Sequence, residues 1–153
     1  VLSTRRPQWL LLQEGVNNIN FDLPSSIPNV INGLTMLIHQ AKAAGVPVMV
    51  GTLLPERPKG EGGCRGHAPE LIAPANDQIR ALVQNEGEVL VDLYAAFGGV
   101  PSDLIGVDGL HPTQQGYEKM AQTFFDEIQK RLEQAPQTAR PSLSSSRPGP
   151  VRR

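Results

Sequence analysis

One cysteine in 153 residues, Cys64, closes off two structural devices at once. A lone thiol forms no intrachain disulfide, and it has no second cysteine with which to build a zinc site. No apolar run approaches the roughly 20 residues that a membrane-spanning helix needs. An excess of positive charge is missing as well: up to Glu133 there are ten Lys and Arg against fifteen Asp and Glu, a net charge of −5. Phosphate binding needs clustered cations on the folded face, so this balance argues against a nucleic-acid partner. No internal repeat with a period of 20 to 50 residues is present, which excludes solenoids and propellers.

With 39% hydrophobic residues the chain can build one core, and its length suits a single domain over residues 1–133. From residue 134 onward, "QAPQTARPSLSSSRPGPVRR" has four prolines, four serines and almost nothing apolar. Such a segment cannot bury enough surface to offset its ordering entropy, so a disordered tail is expected there. The chain opens on Val1 and not on methionine, which makes an upstream portion an expectation.

Three short apolar runs read as strands: "WLLLQ" from Trp9, "VPVMVGTLL" from Val46 and "EVLVDL" from Glu88. They are nearly continuous, as strands covered on both faces tend to be. Between and after them lie three helical patterns. Val30, Leu34, Leu37, Ile38, Ala41 and Ala44 recur at helical spacing, with Ser25 or Ser26 as cap and Gly45 as stop. A second helix over about 71–86 carries Ile79, Leu82 and Val83 and ends at Gly87. A third places Tyr117, Met120, Ala121, Phe124, Phe125, Ile128 and Leu132 on one stripe behind Thr113 as cap. Alternating strand and helix predicts an α/β fold with a parallel sheet. The Pro- and Gly-rich stretch 53–69, "LLPERPKGEGGCRGHAP", reads as a long loop after the second strand. In open α/β sheets such loops sit where ligands bind.

Two loops carry residues suited to chemistry. In "DGLHPTQQGY", residues 108–117, Asp108 precedes His111 by three positions. A carboxylate bonded to Nδ1–H fixes the imidazole tautomer and stabilises the imidazolium formed when Nε2 takes a hydroxyl proton. The same residues also read as a turn leading into a capped helix. In "EGVNN", residues 14–18, Asn17 offers an amide that could stabilise an oxyanion, and Gly15 lets the backbone bend. An Asn-rich turn is the plainer reading.

Taken together, the two loops resemble conserved blocks of the SGNH, or GDSL-type, hydrolases. "GVNN" is similar to the block usually written Gly-x-Asn-Asp, and "DGLHP" to the Asp-x-x-His-Pro block. The resemblance extends over about residues 8–133 and implies a flavodoxin-like three-layer α/β/α fold with a parallel sheet, here reduced at the N-terminal side to about three strands. It implies a serine ester hydrolase acting on a small-molecule ester, with His111 as general base and acid, Asp108 orienting it and Asn17 as oxyanion donor. Gly15 and Asn18 would be structural, Asn18 standing where the family usually has aspartate. No cofactor or metal is implied, and an exported or periplasmic bacterial setting is.

The family's Gly-Asp-Ser block, with its nucleophile, is not found. Ser3, Ser25, Ser26, Ser102 and the tail serines follow no strand in such a turn. The expectation is therefore a C-terminal portion, inactive alone, whose first strand forms an open edge capable of self-association. The alternative from another class is a non-catalytic flavodoxin-like binding module. Its best candidate, "GEGGCRG" at 60–66, puts Arg65 where Gly-x-Gly-x-x-Gly requires glycine, and Cys64 with His67 lack further metal ligands.

Overall fold

The computed structural model of the chain describes residues 7–21, 25–58 and 68–134. The expected disordered tail beyond 134, Ser3, the glycine run at 60–66, Cys64 and His67 lie outside them, as does the side chain of Leu132.

Three parallel strands form one sheet in the order β1 (Leu10–Leu12), β2 (Val48–Gly51), β3 (Val89–Val91). Leu10 pairs with Val48 and Leu12 with Val50, while Met49 pairs with Val89 and Gly51 with Val91. Each strand is shorter than its apolar run. Residues 53 and 54 continue as irregular backbone, and β3 stops at Asp92, whose side chain caps α4 (Leu93–Ala96) by accepting the Ala95 amide at 3.0 Å.

The α/β expectation holds, with helices on both faces of the sheet. On one face, α2 (Ser26–Ala43) and α3 (Pro69–Glu86) pack Ile38, Ala41, Ile72 and Ile79 against Val48 and Val50. On the other, Met120, Phe124 and Ile128 of α5 (Gln114–Gln134) pack against Met49, Val89 and Val91. Alternate β2 side chains thus enter opposite cores, as the two-residue period of a strand requires. Full burial of one such Ile or Leu stabilises by about 1.5–3 kcal/mol, so no single contact decides the fold. No helix among the described residues is long and apolar enough to cross a membrane.

Two sequence expectations need correction. The α5 stripe is not uniformly inward: Met120, Phe124 and Ile128 are half-buried, whereas Tyr117, Ala121 and Phe125, on the neighbouring side of the helix, are exposed. Among the described residues β1 pairs only with β2, and Leu11, on the same sheet face as Met49, is also exposed. The exposed half of the stripe therefore lacks a described element to pack against.

In "EGVNN" the bend at Gly15 is present, but Val16, Asn17 and Asn18 are helical and not part of a loop: α1 (Val16–Phe21) begins directly after Gly15. Ile19 is fully buried, and that burial outweighs the weak helix propensity of the asparagines. Gly15 sits at φ +122°, and a Cβ there would lie 2.6 Å from Val30 Cγ1. Both the backbone angle and the close approach of α2 demand glycine.

Candidate active site

The stretch containing Asp108 and His111 is folded by its own backbone. Ile105 and Pro112 form an isolated antiparallel bridge, the Gly106 amide donates to the His111 carbonyl at 2.7 Å, and the Gly109 amide donates to the Gly106 carbonyl at 2.9 Å. Thr113 then caps α5 as expected, its Oγ1 accepting the Gly116 amide at 3.2 Å.

Inside this turn the carboxylate of Asp108 does two things. Its Oδ1 accepts the amides of Leu110 and His111, both at 3.0 Å, and its Oδ2 accepts the His111 Nδ1 proton at 2.5 Å. The hydrogen bond from His111, followed by that from the Leu110 amide, holds the Asp108 carboxyl well below its ordinary value of 3.8, at about 2. Since an ionised carboxylate only accepts, the neutral imidazole carries its proton on Nδ1 and leaves Nε2 free to take one. The His111 side chain is 68% exposed, so the ring is open to an incoming group.

His111 and Asn17 line one cleft of about 190 Å³. Gln13 and Tyr117 add polar atoms to it, and Val16, Leu54, Leu110 and Met120 make its apolar wall. Gly15 precedes the helix on which Asn17 stands and sets the angle at which α1 leaves the sheet. Asn18, one residue on, lines a different groove of about 460 Å³, between β1 and α2, together with Leu10, Leu12, Val30 and Leu34. That groove is larger and mostly apolar, but it contains neither His111 nor Asp108.

The remaining candidates divide clearly. Ser102 Oγ accepts the Leu104 amide at 3.3 Å within a turn, and none of the described serines lines the cleft. Asp92, also at the carboxyl edge of the sheet, is held by Arg80, whose Nε donates to Oδ2 at 2.9 Å and Nη2 to Oδ1 at 3.1 Å. Burial opposes its ionisation, yet the Arg80 hydrogen bonds and the Ala95 amide outweigh that and keep its carboxyl below the ordinary value. Among the described residues no group of three or more His, Cys, Asp or Glu side chains is placed to hold a metal ion.

Gln13, Leu54 and Tyr117 were not singled out from sequence as residues of the site. Gln13 ends the first apolar run and Leu54 the second, so the signal available was their position at the carboxyl ends of strands.

A parallel sheet with an Asp-paired, solvent-open imidazole and a side-chain amide lining one cleft defines an α/β protein whose cleft lies beside the carboxyl ends of the strands. The sequence profile of the GDSL-like lipase/acylhydrolase family matches residues 1–119, and the chain belongs to that family.

Solved structures are similar to it in fold. A lipase/acylhydrolase from Enterococcus faecalis shares 22% identity at a TM-score of 0.69, over 82% of this chain and 63% of its own. A GDSL-like lipase from Bacteroides thetaiotaomicron shares 20% at 0.68, over 82% of this chain and 64% of its own. A psychrotrophic esterase from Pseudoalteromonas sp. shares 20% at 0.63, over 86% and 67%. The chain thus spans less than two thirds of the length of the first two. No curated protein matches it.

Proposed function

We propose that this chain supplies the histidine, aspartate and asparagine of a serine ester hydrolase, and that the serine comes from a segment outside it. The observation that carries this reading is that His111 and Asn17, far apart in sequence and on different elements, line the same cleft. Membership in an acylhydrolase family and the absence of a Gly-Asp-Ser turn from the sequence support its two halves.

In this reading His111 Nε2 takes the proton of the serine hydroxyl as its oxygen bonds to the ester carbonyl carbon. The carbonyl π electrons move onto oxygen, and the Asn17 side-chain amide donates to that oxyanion. Collapse breaks the bond to the alcohol, which leaves with the proton held on Nε2. Water repeats the cycle on the acyl-enzyme and frees the acid and the serine. Asp108 stays ionised throughout and stabilises the imidazolium. A small-molecule ester is the substrate class, and an added strand carrying the serine would pair with the open edge of β1.

The test uses a chromogenic acetate ester and three proteins: the 153-residue chain, the protein expressed with the coding sequence in frame upstream of Val1, and the His111→Ala variant of the latter. The chain alone should give only the background rate, the longer protein should turn over, and its variant should be inactive. Burst kinetics from the chain alone would remove the external serine, and full activity in the variant would remove the role of His111.

A further inference from the structure

The backbone leaving β2 is irregular, yet residues 52–56 are buried, unlike an ordinary surface loop. Asn76 of α3 accepts the Leu53 amide at 2.7 Å and donates to the Leu53 carbonyl at 2.9 Å. Glu56 Oε2 accepts the amide of Ala68, just before α3, at 3.2 Å. These bonds fasten the segment to α3, and its next residue reaches the other way.

Arg57 makes three bonds into the stretch that carries the His–Asp pair. Its amide donates to the Gly109 carbonyl at 2.9 Å. Its guanidinium Nη2 donates to the Ser102 carbonyl at 2.8 Å and to the Ile105 carbonyl at 3.2 Å. Ile105 is the residue bridged to Pro112, immediately after His111. Among the described residues the other hydrogen bonds that shape this turn run between its own residues, so beyond the burial of Ile105 in the core it is Arg57 that ties the turn to the segment leaving β2.

We infer that Arg57 is the positioning residue of the site: by clamping the carbonyls of Ser102 and Ile105 it fixes the turn on which Asp108 and His111 meet against the backbone that supplies Leu54 to the cleft. The inference rests on the acid–base role proposed for His111, but its readout needs no activity. Hydrogen bonds from a charged donor are about twice as strong as neutral ones, and one guanidinium nitrogen presents two N–H groups in a fixed plane. A lysine ammonium keeps the charge and loses that fork.

The experiment is NMR on the labelled 153-residue chain and its Arg57→Ala and Arg57→Lys variants, following the Asp108 carboxyl titration and the His111 Nδ1 proton, with thermal melts on the same samples. In Arg57→Ala the Asp108 pKa should rise from about 2 toward 3.8, and the Nδ1 proton should be lost to exchange. Arg57→Lys should fall between the two. Millimolar guanidinium, far below the molar range that denatures, should restore both signals in Arg57→Ala alone.

A lowered melting temperature with the Asp108 and His111 signals unchanged would overturn the inference, leaving Arg57 a stabilising residue only. If Arg57→Ala does not fold, Arg57→Lys decides: unchanged signals there overturn the inference and an intermediate shift supports it. The two readings can fail separately. Activity surviving His111→Ala in the longer protein removes the catalytic proposal, while unmoved Asp108 and His111 signals remove only the role of Arg57.

Discussion

Asp108 Oδ2 accepts the His111 Nδ1 proton at 2.5 Å while Asp108 Oδ1 accepts the amide of that same histidine at 3.0 Å. One carboxylate therefore both folds the turn and orients the ring that the turn presents. A three-residue separation in a loop achieves what many hydrolase sites assemble from distant segments. The cost is that the two functions cannot be varied independently.

The shared carboxylate has a measurable signature. Removing the ring in His111→Ala deletes the largest cause of the depressed Asp108 pKa but keeps the two amides, so the value should settle between about 2 and 3.8. The folded pKa lies below the unfolded one of about 3.9, so the stabilisation is present above about pH 4 and fades as pH falls toward 2. Wild type should thus lose more thermal stability than His111→Ala between pH 5 and pH 2. Parallel melting curves across that range would contradict the bond as the source of the shift.

Asn17 is exposed at the cleft and not packed in the core. Truncating it should change stability by less than about 0.5 kcal/mol. In the longer protein, Asn17→Ala should lower kcat by roughly 10²- to 10³-fold, with little effect on KM, because an oxyanion donor acts chiefly in the transition state. Equal losses in stability and rate would show that the residue only shapes α1.

The layout of strands and helices was legible because each apolar run ended in a feature with a physical meaning. Gly45 and Gly87 adopt positive φ at the ends of α2 and α3, and Thr113 caps α5 through its hydroxyl. The pairing of Asp108 with His111 was legible from spacing, whereas the approach of Asn17 to His111 depended on the family resemblance. Helix α1 was not legible, since "VNN" favours turns and only the burial of Ile19 reverses that preference. Arg57 left no sequence signal for a simpler reason: its bonds to the 102–109 stretch end on backbone carbonyls, and every residue has one.

Gly15 should resist substitution for two separable reasons. Its φ of +122° would strain alanine by about 1–3 kcal/mol. The added Cβ would also meet Val30 Cγ1 at 2.6 Å, a further overpacking cost of similar size. Gly15→Ala should therefore unfold at markedly lower denaturant, and adding Val30→Ala should relieve the clash while leaving the backbone strain. Full recovery in the double variant would show that φ contributes nothing.

Gly116 sets helix propensity against packing in a way that decides how the histidine turn is seated. Alanine is favoured over glycine inside a helix by about 1 kcal/mol, so Gly116→Ala in an isolated α5 would be stabilising. Here the new Cβ would lie 2.2 Å from the Leu104 carbonyl oxygen and 2.8 Å from Pro112 Cβ. The oxygen belongs to backbone, which cannot rotate aside as a side chain would. It is also fixed by the Thr113 amide at 2.8 Å, so α5 and the 104–113 turn must separate. We expect a net loss of stability despite the propensity gain. A displacement of about 1 Å at His111 is enough to cost on the order of 10²-fold in turnover. Thermal melts of the chain and ester hydrolysis by the longer protein check the two effects. A variant melting at or above wild type would mean that α5 does not rest on Leu104 through backbone contact.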